Sequence, residues 1–330
     1  MDVDSRSEVY IITEAAPEQQ APGKTRRYEH YIARLMSAQL SATTLPLLVD
    51  SNASGVRRIA ASFRASRSVF KRTRRDQALV VLGLGEVHML LLAVFLVLAQ
   101  RKVTYDACDS WKLQWYSRRA QMGGLRSFVP IVGGLVQWLA PRRLTVSYIS
   151  RRDASADTII LGRRKVDIVP PEAAALLSRI PPVSNSGIER VVAAVDLNSY
   201  HNRHGFEEII DIWPAVRAAF PNVTLDLYGK GLSQVDVEGV RVFGWAKDIR
   251  DVYAGNSLVY VTNRNGSGVP NKLVEAVASQ RPLLVHESLS PLLTTSPWVY
   301  TFRKDLSARL VEALKDSSIC PSDQLPKLRL

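Results

Sequence analysis

Cysteine is nearly absent from this chain. The two present in 330 residues, Cys108 and Cys320, stand far apart and outside any CxxC. That excludes a disulfide framework and a cysteine zinc site, and it accords with a reducing cytoplasm. Long hydrophobic runs are missing too. The longest, Met89 to Ala99, sits between His88 and Gln100-Arg101-Lys102. A membrane-spanning helix takes about 20 such residues, so this run reads as a buried helix. The opening stretch MDVDSRSEVYIITE is acidic and polar and lacks the pattern of a secretory signal. No fixed-period repeat is present. No Asp-x-Asp pair stands near a strand end, since Asp2-Val3-Asp4 is terminal.

What is abundant is positive charge, and it is unevenly spread. Lys and Arg number 43 against 31 Asp and Glu, a net charge of +12. Residues 1–175 hold 26 of these cations against 15 acids, whereas residues 176–330 hold 17 against 16. Solubility alone does not explain that asymmetry. It suggests a polyanionic partner or an anionic membrane surface for the first half. Hydrophobic content of 46% and charged content of 22% are those of globular protein.

Strand-like and helix-like segments alternate through the first half. EVYIITE, LPLLVD, ALVVLGLG, KVTYDACDSW, LTVSYIS and RRKVDIVPP read as strands. Tyr28, Tyr31, Ile32 and Leu35 recur at helical spacing. Residues 56–75 read as a helix with Val56, Ile59, Phe63 and Phe70 on one side and eight Arg/Lys around the rest. The proline-rich stretch 170–187 reads as a connection. The alternation then restarts with RVVAAVD, GFEEIIDIWPAVRAAFP, TLDLYGKG, VRVFGWA, DIRDVYAG, SLVYVT, the helix after Pro270, and RPLLVH. Such alternation predicts α/β architecture with two Rossmann-like, doubly wound domains, 1–175 and 176–330.

Ligands of open α/β sheets collect at the carboxyl ends of the strands. Three loops of the second half carry suitable chemistry there: Lys230-Gly231, Trp245 with Asp248 and Tyr253, and Gly266-Ser267-Gly268 leading through Pro270 into a helix. Glycines admit a ligand close to the backbone, and the first-turn N–H groups favour a phosphate. Lys272 and Glu275 share one helix face. The cation suits a diphosphate and the carboxylate suits ribose hydroxyls, so together they outline a nucleotide diphosphate-sugar pocket. An exposed Lys–Glu pair on a solvated face is the plain alternative.

The run GSGVPNKLVEAVASQRPLLV resembles the donor-site segment of family 4 (group 1) glycosyltransferases of GT-B fold. DLNSYHNRHGFEEIIDIWPAVRAAFPNVTLDLYGKG and GVRVFGWAKDIRDVYAGNSLVYVTNRNGSGVPNKLVEA follow the family's order of segments. YDACDSWKLQWYSRRA and YISRRDA resemble the first domain more loosely. The resemblance implies two domains facing a central cleft, with the last helix able to cross back to the first. It implies a retaining transfer of sugar from a nucleotide diphosphate-sugar to an acceptor hydroxyl, with no cofactor and no bound metal.

Carried over, the resemblance makes Glu275 the ribose ligand, with Gly229 and Gly231 along the nucleotide and Trp245 against the base. Gly266, Ser267, Gly268, Asn271 and Lys272 take the diphosphate and donor sugar. Ser267 stands where the family usually has a glutamate. A G-x-G-x-x-N-K run like this one occurs in some polysaccharide-forming members, and a nucleotide-sugar binder with little turnover is the alternative. Lys272, Arg203 and helix N–H groups would stabilise the leaving diphosphate.

Acceptor-side candidates are Gly23 and Lys24 at the first loop, His88 after the third strand, and Asp109 after the fourth. His88 could instead be structural, and Asp109 could cap the next helix. For the basic stretch 56–75, an anionic membrane carrying a lipid-linked saccharide acceptor ranks first. Simple packing with solvated arginines ranks second, and modified DNA third. The implied location is cytoplasmic, peripheral at the inner face of the membrane.

Overall fold

The structure is a computed structural model. It describes residues 8–16, 22–48, 54–121, 124, 128–171, 177, 180, 187–197, 200–232, 235–264, 268–316 and 324–329. The chain divides into two compact units, one ending at Pro171 and the other running from Glu172 to Arg329.

The first unit runs β1 (Glu8–Thr13), α1 (Pro22–Ser37), β2 (Ser41–Pro46), α2 (Gly55–Arg72), β3 (Ala78–Leu82), α3 (Val87–Leu98) and β4 (Lys102–Cys108). It continues with α4 (Trp111–Gln121), α5 (Val129–Leu139), β5 (Thr145–Tyr148), the short α6 (Arg151–Ala156) and α7 (Thr158–Leu161), and β6 (Val166–Ile168). Its strands are parallel, in the order β2-β1-β3-β4-β5-β6. Parallel strands need crossover helices, which cover both sheet faces. Hence β1 and β3 carry nearly continuous apolar residues, and Ile11, Ile12, Val81 and, on β4, Tyr105 are fully buried. The apolar run is α3, whose Met89, Leu90, Leu92, Ala93, Leu96 and Val97 lie in the core. No helix among the described residues is long and apolar enough to cross a membrane. The strand order reverses between β1 and β3, which places this sheet's switch point at Thr13 and Leu82.

Three details depart from the sequence reading. The second strand is SATTLP rather than LPLLVD, because the ladder with β1 starts at Glu8 opposite Ser41. Threonines suit the pleat, and Pro46 is tolerated at the end of an edge strand. On α2, Val56 is exposed, while Ser62, Ser66 and Val69 face the core. Phe63 and Phe70 meet Phe95 of α3 edge-on at 5.2 and 5.9 Å. The helix therefore packs its apolar side on the domain and leaves Arg57, Arg64, Arg67 and Arg72 to solvent, while Arg58 turns inward. Lastly, Gly23 and Lys24 belong to the first turn of α1, not to the loop before it.

The second unit runs β7 (Arg190–Asp196), α8 (Tyr200–Ala219), β8 (Thr224–Lys230), β9 (Val240–Gly244), α9 (Ile249–Tyr253), β10 (Ser257–Val261) and α10 (Asn271–Ala278). β11 (Leu283–His286), β12 (Val299–Phe302) and α11 (Leu306–Lys315) complete it. The parallel order is β12-β11-β10-β7-β8-β9, reversing between β7 and β10. The helix α11 packs in this unit's own core through Leu306, Leu310 and Ala313.

Candidate donor site and acceptor-side cluster

At the switch point of the second sheet, α8 comes unusually close to the end of β10. A Cβ on Gly205 would sit 2.2 Å from the Thr262 carbonyl oxygen, so only glycine fits. The Tyr260 hydroxyl donates to the Gly205 carbonyl at 2.9 Å. Into this junction α10 sends Lys272. Its Nζ donates to the Ala194 carbonyl at 2.5 Å, Asn202 Oδ1 at 2.6 Å and Thr262 Oγ1 at 3.0 Å. Asn202 in turn donates from Nδ2 to the Asp196 carbonyl at 2.9 Å. One ammonium thus ties β7, α8 and the end of β10 together. Burial pulls its pKa down to about 7, against the opposing influence of the Glu275 and Asp196 charges.

Lys272 was expected to point at a diphosphate. Its three protons are instead directed at protein acceptors, and its charge acts from beneath the helix N-terminus. The first turn of α10 begins at Asn271, one residue later than expected, with Pro270 as the cap. Its leading N–H groups have no acceptor within the helix. Glu275, one turn on, is buried, and Tyr253 donates to its Oε2 at 2.8 Å. Arg281 fixes Tyr253 in turn, donating to its carbonyl at 2.9 Å. Gly268 has φ of +76°. Gly266 and Ser267 lie outside the described residues.

The neighbouring strand ends carry the rest. Gly229, at φ of +140°, approaches β7 so closely that a Cβ would lie 1.6 Å from the Val195 carbonyl oxygen. Gly231 follows in a second positive-φ turn. Trp245, just past β9, is exposed, and the Lys230 ammonium sits 5.0 Å from its ring centre. Arg203, in the first turn of α8, donates Nε to the Leu197 carbonyl at 3.1 Å and is otherwise solvent-facing. Gly229, Gly231, Trp245, Gly268, Asn271, Lys272, Glu275 and Arg203 therefore all stand at the carboxyl edge of one sheet. Sequence reasoning missed Asn202 and Thr262. Their signal was position alone, polar residues at a helix start and a strand end beside the switch.

In the first unit His88 is buried on α3, with Nε2 3.3 Å from Glu14 Oε1 and Nδ1 3.9 Å from Glu86 Oε2. Arg58 of α2 bonds Glu14 and lies 3.1 Å from Glu86. This His–Glu–Arg–Glu group occupies the carboxyl edge at the β1/β3 switch. Of its members only His88 was named from sequence, although Glu14 directly ends the EVYIITE strand.

Asp109 follows β4, and the start of α4 is capped by Ser110, whose Oγ accepts from Leu113 N at 3.1 Å. Asp157 supports the same turn, its carboxylate accepting from Ser110 Oγ at 2.6 Å, Trp111 N at 2.9 Å and Lys112 N at 3.1 Å. Burial raises the Asp157 pKa, and these donors hold it back. The side chains of Gly23 and Lys24 are outside the described residues. Beneath the sheet, the Arg27 guanidinium bonds both oxygens of buried Asp106, at 2.8 and 2.6 Å.

Residues 189–313 match the family model described as Glycosyl transferases group 1. No curated protein matches the chain. Solved structures align along nearly its full length. HepE of Anabaena in complex with UDP and glucose covers 93% of this chain and 89% of its own, at 11% identity and a TM-score of 0.61. WaaG, a glycosyltransferase involved in lipopolysaccharide biosynthesis, covers 94% and 91%, at 12% identity and 0.61. An α,α-trehalose 6-phosphate synthase from Burkholderia multivorans covers 97% and 92%, at 13% identity and 0.60. At such identities the likeness is one of fold.

Proposed function

Because residues 189–313 match the model of group 1 glycosyltransferases and the chain shares the fold of solved glycosyltransferases, we propose that the protein is a retaining glycosyltransferase. It moves a sugar from a nucleotide diphosphate-sugar to an acceptor hydroxyl on a saccharide or lipid-linked saccharide. The single observation that carries this reading is the convergence at one sheet edge. A helix N-terminus, a buried carboxylate at Glu275 and an exposed indole at Trp245 stand along that edge, whose switch point Lys272 clamps.

Each group has a task in this reading. The base lies on Trp245 beside Lys230. The ribose hydroxyls donate to Glu275, which Tyr253 keeps in place. The diphosphate lies on the N–H groups of the α10 first turn, with Arg203 near and the Lys272 charge below. As the bond from the anomeric carbon to the phosphate oxygen breaks, its electron pair passes to the diphosphate. Those donors meet the growing negative charge without having to reorganise. The cluster of His88, Glu14, Arg58 and Glu86 serves the acceptor side, where an imidazole or carboxylate can take a hydroxyl proton. Besides donor and acceptor, this scheme calls on no cofactor.

Ser267, in place of a glutamate, favours a second reading in which the donor binds but turns over little. A thermal-shift screen of nucleotide diphosphate-sugars, followed by transfer assays with the best binder, tests both. A ligand of the folded state raises its melting temperature. Stabilisation by one nucleotide-sugar together with transfer supports the enzyme, and stabilisation without turnover over a broad acceptor panel supports the binder. No stabilisation by any of them contradicts both.

A further inference from the structure

The helix α5 has its polarity reversed. Its outward residues Phe128, Ile131, Val132, Leu135, Trp138 and Leu139 recur at the spacing of one helical face. All are exposed, Leu135 at 54%, Trp138 at 56% and Leu139 at 67%. Its inward side is small and polar. Gly133 and Gly134 lie against Trp111 and Ile160. Gln137, fully buried, accepts from Trp111 Nε1 at 2.9 Å and donates to the Tyr148 hydroxyl at 2.9 Å. A water-facing helix turns its polar residues outward. This one turns its largest apolar residues outward, and Ile159 of the adjoining α7, 85% exposed, extends the patch.

Charge says what covers it. Residues 110–171 contain eleven Lys/Arg and only three Asp/Glu, namely Asp153, Asp157 and Asp167. Asp153 and Asp157 are fully buried, and Asp167 pairs with Arg34. Arg142 and Arg143 follow α5 directly and are exposed, as is Arg163 after α7. Arg164 donates to the Trp138 carbonyl at 2.8 Å and to that of Ala140, so the basic rim touches the helix itself. No carboxylate among the described residues pairs with any of these four arginines. An apolar face with cations that no carboxylate pairs gathered at its carboxyl end matches the interface of an anionic bilayer, with acyl chains under the face and lipid phosphates at that end. Eleven residues are too short to span it.

We infer that α5, with Ile159 and the arginines 142, 143 and 163, is a membrane-docking face that lies in the plane of an anionic lipid surface. The site differs from the 56–75 helix, whose apolar side is already packed on α3. It stands independently of the donor-site reading.

The test is flotation of the full-length protein with phosphatidylcholine vesicles, with and without phosphatidylglycerol. It is run alongside Leu135→Glu/Leu139→Glu, Arg142→Glu/Arg163→Glu and Val56→Glu variants. The wild type and Val56→Glu should float with anionic vesicles. Leu135→Glu/Leu139→Glu should lose affinity on the order of tenfold or more, since each apolar side chain contributes separately to insertion. The arginine variant should lose the preference for anionic lipid. All these positions are exposed, so melting temperatures should hold, and thermal denaturation checks it. Three results would overturn the proposal. One is a wild type that fails to float with anionic vesicles, and another is a double leucine variant that floats like the wild type. The third is a wild-type dimer in sedimentation that the leucine changes dissociate, without vesicle binding, which makes the face a subunit contact.

Discussion

Lys272 Nζ stands 2.6 Å from Asn202 Oδ1, joining two residues seventy positions apart in sequence across the switch point of the second sheet. The contact fixes the start of α8 against that of α10, the two helix N-termini that flank the proposed donor site. Replacing Lys272 with Met leaves three acceptors without their donor and removes the charge beneath the phosphate position. Transfer should fall on the order of 10²-fold.

The same lysine gives the site a pH dependence. Its folded pKa, about 7, lies below the ordinary 10.5, so between those values the folded chain holds fewer protons than the unfolded one. Ligand-free stability should therefore rise with pH across that window, and the full cost of the buried cation is present below it. A bound diphosphate favours the charged form. Donor binding above about pH 7 should therefore take up a proton and weaken as pH rises. Calorimetry in two buffers of different ionisation enthalpy measures the uptake, and Lys272→Met should abolish it.

In the proposed site Tyr253 acts through Glu275, to which its hydroxyl donates, rather than on substrate. Removing its hydroxyl with Phe frees one carboxylate oxygen, so donor KM should rise about tenfold, the worth of one hydrogen bond to a charged group, with kcat nearly unchanged. Steady-state kinetics against donor concentration separates the two, and an equal fall in kcat would mean the helix itself had moved.

Trp245 is exposed, so its replacement costs the fold little. Trp245→Ala should weaken donor binding by about 1–3 kcal/mol, the range of a base stacked on an aromatic ring, with an unchanged melting temperature. Titration with free nucleotide diphosphate should show the same loss, because the ring meets the base and not the sugar.

Stability of the first unit rests partly on Arg27 and Asp106. Burial opposes the Arg27 charge, but the Asp106 carboxylate outweighs it and the arginine pKa lies above its usual value. Asp106→Asn leaves that charge buried and unpaired. It should destabilise the unit by about 3–5 kcal/mol in chemical denaturation, while the second unit keeps donor binding.

Much of this was legible in the sequence. The apolar run of α3 and the strands VVLGLG, RVVAAVD and LVYVT announced parallel sheets, because a strand covered on both faces has no polar side to alternate. Glu275 and Trp245 could be placed because strand ends in such sheets gather ligands. What escaped was set by distance through space. The Lys272 ammonium turns inward to acceptors from three separate segments, which spacing along one helix cannot reveal. Asp157 supports the start of α4 from 46 residues away, so Asp109 looked the better candidate. SATTLP lost to LPLLVD because apolar content marks burial better than it marks a ladder. Nothing along the sequence of α5 tells which way its apolar residues point, and only the fold shows them turned out.

The most direct test is calorimetric titration of the wild type and Glu275→Ala with nucleotide diphosphate-sugars spanning uridine, guanosine and adenosine carriers. The account predicts that one donor binds the wild type and that its affinity falls on the order of tenfold to a hundredfold in the variant, the ribose having lost its charged acceptor. Equal binding by both proteins, or binding by neither, would contradict it.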